Sequence, residues 1–460
     1  MLPITQYMNT IAVSSNSRQK VSDRKTVEVV TGILRIKQAV WLYFLLLIFE
    51  GALRKWILPS LEGPLLIIRD PLVLWILIMA WRYGLIAINS YIIGMFSIGV
   101  IGVYAAYFFG HGNLLVALYG ARILLFHFPL IFVIGRIFDH NDVIKIGKAT
   151  LLMAIPMCCL IMLQFYSPQT ALVNLSVGGE PGGGFSGANN FFRPPGTFSF
   201  TNGNTLFFSF TTCFILYFWF NYKTINRVVL VAATLALLLA IPFSISRGLF
   251  FQVIISLLFA AFAVMFKPKF LAGVFLIIGG LILTFILLQS TPYFNTATSA
   301  FTSRFTSANK IEGGVNGVLF GRFLGGMTKA ISFSSNEPFF GYGIGMGTNA
   351  GSMLLKGGRY FLVAEDEWGK VIGELGLVMG LTVIFFRMKL AFQISLKSYS
   401  SLLKGNVMPW MLLSFGVLSL AQGSWSQPTS LGFCTLIIGL ILASSKTVSH
   451  SRNRNFYLQN

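Results

Sequence analysis

Three apolar stretches, 228–243, 249–266 and 270–288, stand almost end to end in the middle of this chain. Each approaches or reaches the roughly 20 residues that an α-helix needs to cross the hydrocarbon of a bilayer. A soluble protein with an unusually apolar core has no use for segments of that length. Charged residues make up only 10% of the 460 positions, against about 25% in ordinary soluble domains. The expected fold class is therefore all-α, a polytopic integral membrane protein.

Hydropathy places about twelve spans, over 36–49, 65–81, 85–109, 114–134, 146–165, 205–220, 228–245, 249–266, 270–288, 370–386, 408–421 and 431–443. The chain then divides into a basic, disordered N-terminal segment 1–35 and spans one to nine over 36–288, with an outer loop at 166–204. A large outer loop 289–369, spans ten to twelve over 370–445 and a basic tail 446–460 complete it. An even number of spans leaves both ends on one side, and the basic residues say which. Arg18, Lys20, Arg24, Lys25, Arg35 and Lys37 precede the first span, while Arg387, Lys389, Lys397 and Lys404 follow the tenth. Most of the acids fall on the other side. By the positive-inside rule the two termini are cytoplasmic.

The net charge of +20 thus reflects topology and does not call for a nucleic-acid partner. Cys158, Cys159, Cys213 and Cys434 all lie in apolar segments and read as small core hydrophobes. The four histidines are scattered. Nothing in these spacings points to a metal site or a cofactor. The polar N-terminal segment lacks the apolar run of a cleaved signal peptide.

What remains unusual lies outside. In the outer loop, Arg193-Pro194-Pro195-Gly196-Thr197-Phe198 sets one arginine beside a rigid turn just ahead of a helix start. Free N–H groups at such a start bind anions, though capping residues in an ordinary loop look the same. Ser246-Arg247-Gly248 joins two apolar helices with almost no linker. Arg247 either snorkels to the headgroups or offers its guanidinium fork to a phosphate. Arg122 lies well inside the fourth span and needs a partner or a wet cavity; Glu374 in the tenth span is a candidate counter-ion, in a supporting or structural role. In the long loop, Arg322 and Lys329 share a helical face, and the run Pro338-Phe339-Phe340-Gly341-Tyr342-Gly343-Ile344-Gly345 follows. The loop ends in Glu365-Asp366-Glu367. One acid complements a helix N-terminus; three crowded together raise one another's pKa and suggest a general base, with a divalent cation as a further reading.

Taken in order, these segments resemble the O-antigen ligase and O-antigen polymerase superfamily of bacterial inner membranes. That family carries an Arg-x-x-Gly-Thr-Phe loop motif, matched by Arg193 to Phe198, and a Ser-Arg-Gly turn, matched by Ser246 to Gly248. It also carries a Pro-Gly-rich periplasmic run, matched by Pro338 to Gly345. The family's His-Asn ahead of Glu-x-Gly corresponds here to Glu365-Asp366 ahead of Glu374-Leu375-Gly376. The ligases use that histidine as base, so its replacement by Glu365 favours a polymerase.

The resemblance implies a GT-C-like, metal-independent glycosyltransferase of the inner membrane, with no cofactor. Its partners would be an undecaprenyl-diphosphate-linked glycan donor, a glycan acceptor, the lipid bilayer, and a chain-length regulator and flippase. Arg193, Arg247 and Arg322 would hold the diphosphate, and Glu365, or failing it Glu367, would be catalytic. A ligase or protein O-glycosylation transferase of the same superfamily is the alternative, and a transporter or flippase of lipid-linked sugars a second one.

Overall fold

The computed structural model describes residues 4–182, 184–266, 279–280, 286, 289–312, 332, 338–357, 363–364 and 366–446. Among them the chain is mostly α-helical, and eight helices are long and apolar enough to cross a membrane. Three shorter apolar helices, Arg227–Phe243, Met408–Gln422 and Pro428–Ser444, accompany them. The expected ninth span, 270–288, falls almost wholly outside the described residues, as do Arg322 and Glu365.

The first helix, α1, runs Ile4–Ala52 and ends in a π-turn, Leu53–Ile57. Helices α2 (Arg69–Arg82) and α3 (Ser90–Phe108) follow. The fourth expected span is two helices, α4 (Leu114–Arg122) and α5 (Phe128–Ile137), joined by a π-turn at Ile123–His127. Helix α6 spans His140–Tyr166 and begins with a capping box, in which Asp139 and Asp142 each accept from the other's backbone N–H. Lys37 bonds to Asp142 at 2.5 Å there, and Lys446 donates to the Phe138 carbonyl at 2.8 Å. These contacts tie the start of α6, the first helix and the end of the last one into one end of the bundle.

After the outer loop come α7 (Thr201–Phe220), α8 (Arg227–Phe243), α9 (Arg247–Phe266) and α10 (Pro292–Glu312), which lies in the long loop. Helices α11 (Asn349–Lys356), α12 (Glu367–Leu403), α13 (Met408–Gln422) and α14 (Pro428–Ser444) close the chain. Helix α14 is almost entirely buried, with α5, α7 and α13 around it. Small residues allow this: a Cβ on Gly439 would stand 2.7 Å from the Ile134 Cβ. Lipid tails supply no hydrophobic drive between helices, so close backbone approach and dispersion hold them together.

The tenth span departs from expectation. Gly376 has φ +75 in the middle of α12. Glu367 and Arg387, twenty positions apart, touch at 2.8 Å, whereas a straight helix would separate them by about 30 Å. The segment 367–375 therefore folds back against 377–403, with Trp368, Ile372 and Ile384 packed in the crease. Arg387, expected in a cytoplasmic loop, is fully buried instead. The reason is local: once Gly376 reverses the chain, Arg387 lies beside the carboxylate that opens the helix.

Candidate functional site

The end of the bundle opposite Lys446 gathers the loop motifs. Tyr166, at the end of α6, leads into a loop that forms a two-stranded hairpin, β1 (Phe185–Ala188) and β2 (Phe191–Arg193). Asn189 and Asn190, with φ 51 and 63, make its two-residue turn. Asn tolerates these angles, and the turn matches the twist of the strands. The register slips at Gly187, a bulge, and Phe191 stacks on Phe165 at 4.3 Å to fix the hairpin to α6.

Arg193 leaves this hairpin into Pro194-Pro195. Gly196 then donates its N–H to Gln164 Oε1 at 2.8 Å and accepts from Lys55 Nζ at 2.7 Å. Thr197 Oγ1 donates to the Ile48 carbonyl at 2.6 Å. The run Arg193 to Phe198 is thus clamped between the first helix and α6 before it opens α7.

The Ser246-Arg247-Gly248 turn meets it there. Ser246 Oγ lies 2.8 Å from Thr205 Oγ1, near the start of α7, and accepts the Leu249 N–H at 3.3 Å as a cap for α9. Ile245 before it is fully buried with φ +47, a conformation that costs a non-glycine residue about 1–2 kcal/mol. From the long loop, Arg304 of α10 donates to the Gly187 carbonyl at 3.1 Å. Burial, then Arg304, then Arg247 pull the Arg193 guanidinium down to about 10. It stays charged at neutral pH, in a field set by two other arginines. Arg193 Nε is buried without a hydrogen-bond partner among the described residues. Arg193 and Arg247, singled out in the sequence, do come together; Arg304 was missed, because nothing in its serine- and threonine-rich segment marks it.

The Pro338–Gly345 run and Glu374-Leu375-Gly376 form a second junction. The break at Gly376 leaves helix carbonyls without partners, and the loop supplies them. Tyr342 N–H donates to the Gly373 carbonyl at 2.7 Å and Gly343 N–H to the Glu374 carbonyl at 3.1 Å. Non-helical backbone at membrane depth is tolerated where protein satisfies it in this way. Glu374 is buried, and its Oε1 accepts the Gly347 N–H at 2.6 Å.

Of the three crowded acids, Asp366 caps α12 by accepting from the Gly369 N–H at 2.8 Å. Glu367 Oε1 accepts from Arg387 at 2.8 Å and from the Trp425 N–H at 3.0 Å, while its Oε2 has no partner among the described residues. Arg387 also donates to the carbonyls of Leu420 and Gly423, at 2.8 Å each, and lies 4.0 Å from the Trp425 ring.

The expected pairing of Arg122 with Glu374 is not the one found. Arg122 Nη1 donates to both oxygens of Asp70 at 2.7 Å, and His127 Nε2 lies 3.0 Å from the same carboxylate. The π-turn after Arg122 and the entry of α2 bring these groups together, while Glu374 is turned to the docked loop. A second buried pair, Glu50 with Arg69 at 3.0 Å, sits near Arg54, which donates to Ser199 Oγ at 3.0 Å. The sequence reading passed over Glu50, Arg54, Lys55, Arg69 and Asp70. Glu50 and Arg54, one helical turn apart at the end of an apolar run, were the available signal.

The chain matches no known family model, no curated protein and no solved structure.

Proposed function

We propose that this chain is a membrane glycosyltransferase that polymerises undecaprenyl-diphosphate-linked oligosaccharide repeat units at the periplasmic face of a bacterial inner membrane. Its scaffold would have about twelve spans in a GT-C-like arrangement, with both termini cytoplasmic. One observation carries the reading: Arg193 and Arg247, far apart in sequence and both half-buried, stand near enough for the charge of one to bear on the other, beside the clamped Arg193-to-Phe198 run. Such a pair suits a group that departs with two phosphates.

In this reaction the acceptor sugar's hydroxyl oxygen attacks the anomeric carbon of the donor. The bond from that carbon to the phosphate oxygen breaks, and undecaprenyl diphosphate leaves with the electron pair. Arg193, Arg247 and Arg322 neutralise the charge that grows on it, a stabilisation made in advance of the transition state. Glu365 takes the hydroxyl proton. Glu367 is the weaker base, since Arg387 and Trp425 occupy one of its oxygens. Cations supplied by arginine make a metal unnecessary. A chain-length regulator and a flippase are the expected partners. A ligase or protein O-glycosylation transferase would use the same donor site and differ in its acceptor. The transporter reading loses its main support, because Arg122 is engaged by Asp70.

The test is glycan chain length in cells carrying Glu365→Gln or Arg247→Ala. Each substitution should cut elongation by about a hundredfold, with single repeat units still exported. Unchanged polymer from both well-expressed variants contradicts the assignment.

A further inference from the structure

A narrow cavity opens beside Arg193, between the end of the first helix and the hairpin. Lys55, Gln164, Gln169, Asn174, Ser176, Arg193 and Ser199 contribute its polar lining, which holds two cations, no carboxylate and, among the described residues, one buried unpartnered acceptor, Gln169 Oε1. Lys55 is 1% exposed, and its ammonium has one hydrogen-bond partner among the described residues, the neutral Gly196 carbonyl. No acid stands within ion-pair distance of Lys55 among those residues. Arg193 adds its unpartnered Nε. A buried charge left without a counter-charge costs several kcal/mol, and the Trp56 ring 4.4 Å from the Lys55 ammonium offsets only part of that. A fold that sets buried Lys55 beside half-buried Arg193 at one cavity is therefore built for something that brings the opposite charge.

We infer that Lys55 and Arg193 form a phosphate-binding pocket, in which Lys55 is an anion ligand in its own right. Phosphate fits better than carboxylate. One guanidinium fork satisfies a carboxylate by itself, whereas here an ammonium and a guanidinium converge with hydroxyl and amide groups around them. The enclosed interior, about 20 Å³, admits the tip of such a group and little more. The bulk of the anion would stand at the mouth, on the side open to solvent. The inference rests on the reading above only for the choice of phosphate; binding here needs no glycosyl transfer.

Two sources share this chemistry, a phosphate on a soluble or lipid-linked substrate and the headgroup of a membrane phospholipid. The experiment uses the full chain in maltoside micelles and follows thermal unfolding as inorganic diphosphate is titrated. Wild type should be stabilised, Lys55→Arg should keep the response, and Lys55→Met should need at least tenfold more diphosphate. Without anion, Lys55→Met should unfold no earlier than wild type, because Gly196 keeps its second donor, Gln164 Nε2 at 3.2 Å. A merely structural lysine gives the opposite sign. Nanodiscs of phosphatidylglycerol then separate the sources. If the lipid alone produces the Lys55-dependent stabilisation, the ligand is a headgroup; if diphosphate is still required, it is a substrate phosphate. Equal responses of wild type and Lys55→Met to diphosphate overturn the pocket. That result leaves the polymerase reading standing, and loss of polymerisation with intact diphosphate binding does the reverse.

Discussion

Glu367 and Arg387 show what a carboxylate near a helix start can be used for. The sequence placed Glu367 in a crowded acidic cluster and Arg387 in a loop, so their pairing was invisible. Folding back of 367–375 buries both, and every polar atom of Arg387 that points inward finds a carboxylate, a carbonyl or a ring. Removing one partner of such a pair costs about 3–5 kcal/mol, because the other is stranded, whereas replacing both by apolar residues is close to neutral. Arg387→Met alone should therefore lower the unfolding temperature sharply, and Glu367→Leu with Arg387→Met should recover most of the loss. Equal destabilisation in the single and double variants would remove the pair from the account. Arg193 and Arg247 were legible by contrast, since each stands beside Pro or Gly in a motif too polar for its surroundings. Arg304 and Lys55 were not, because their meaning comes only from what the fold brings next to them.

At the scale of elements, apolar length located the helices well and their internal breaks badly. Residues 371–386 carry a single charge, Glu374, in an otherwise largely apolar run, so hydropathy reads straight through Gly376. Only a backbone with φ +75 reverses there, and hydropathy carries no information on φ. The docked loop depends on that break. A Cβ at Gly376 would stand 2.0 Å from the Phe339 carbonyl oxygen, and its φ +75 with ψ 172, a conformation essentially reserved to glycine, adds about 1–3 kcal/mol for alanine. Gly376→Ala should undock the loop and speed hydrogen exchange at the Tyr342 and Gly343 amides at least tenfold. Exchange that stays at the wild-type rate would mean that the loop is held by other contacts.

For the whole molecule, the proposed orientation sets Ser299 of α10 and Lys404 after α12 on opposite faces of the membrane. Both positions are exposed. In a background without the four native cysteines, Ser299→Cys should react with an impermeant maleimide on intact spheroplasts, and Lys404→Cys only after permeabilisation. The reverse pattern inverts the topology. Metal dependence is also a property of the complete reaction: on the proposed polymerase reading, purified protein should elongate glycan at an undiminished rate in EDTA, and full inhibition contradicts chemistry carried by arginines alone.

The buried turn before α9 has a consequence for what the site can accept. Ile245 is held in its unfavourable conformation with its Cδ1 2.7 Å from where a Cβ would stand on Gly187, whose carbonyl in turn binds Arg304. The hairpin that presents Arg193 and the turn that presents Arg247 are therefore interlocked, and neither can shift without the other. The backbones that carry the two arginines are thereby held at a set spacing. On the proposed reaction, a leaving group with one phosphate, or with two at a different spacing, would engage only one of the two arginines.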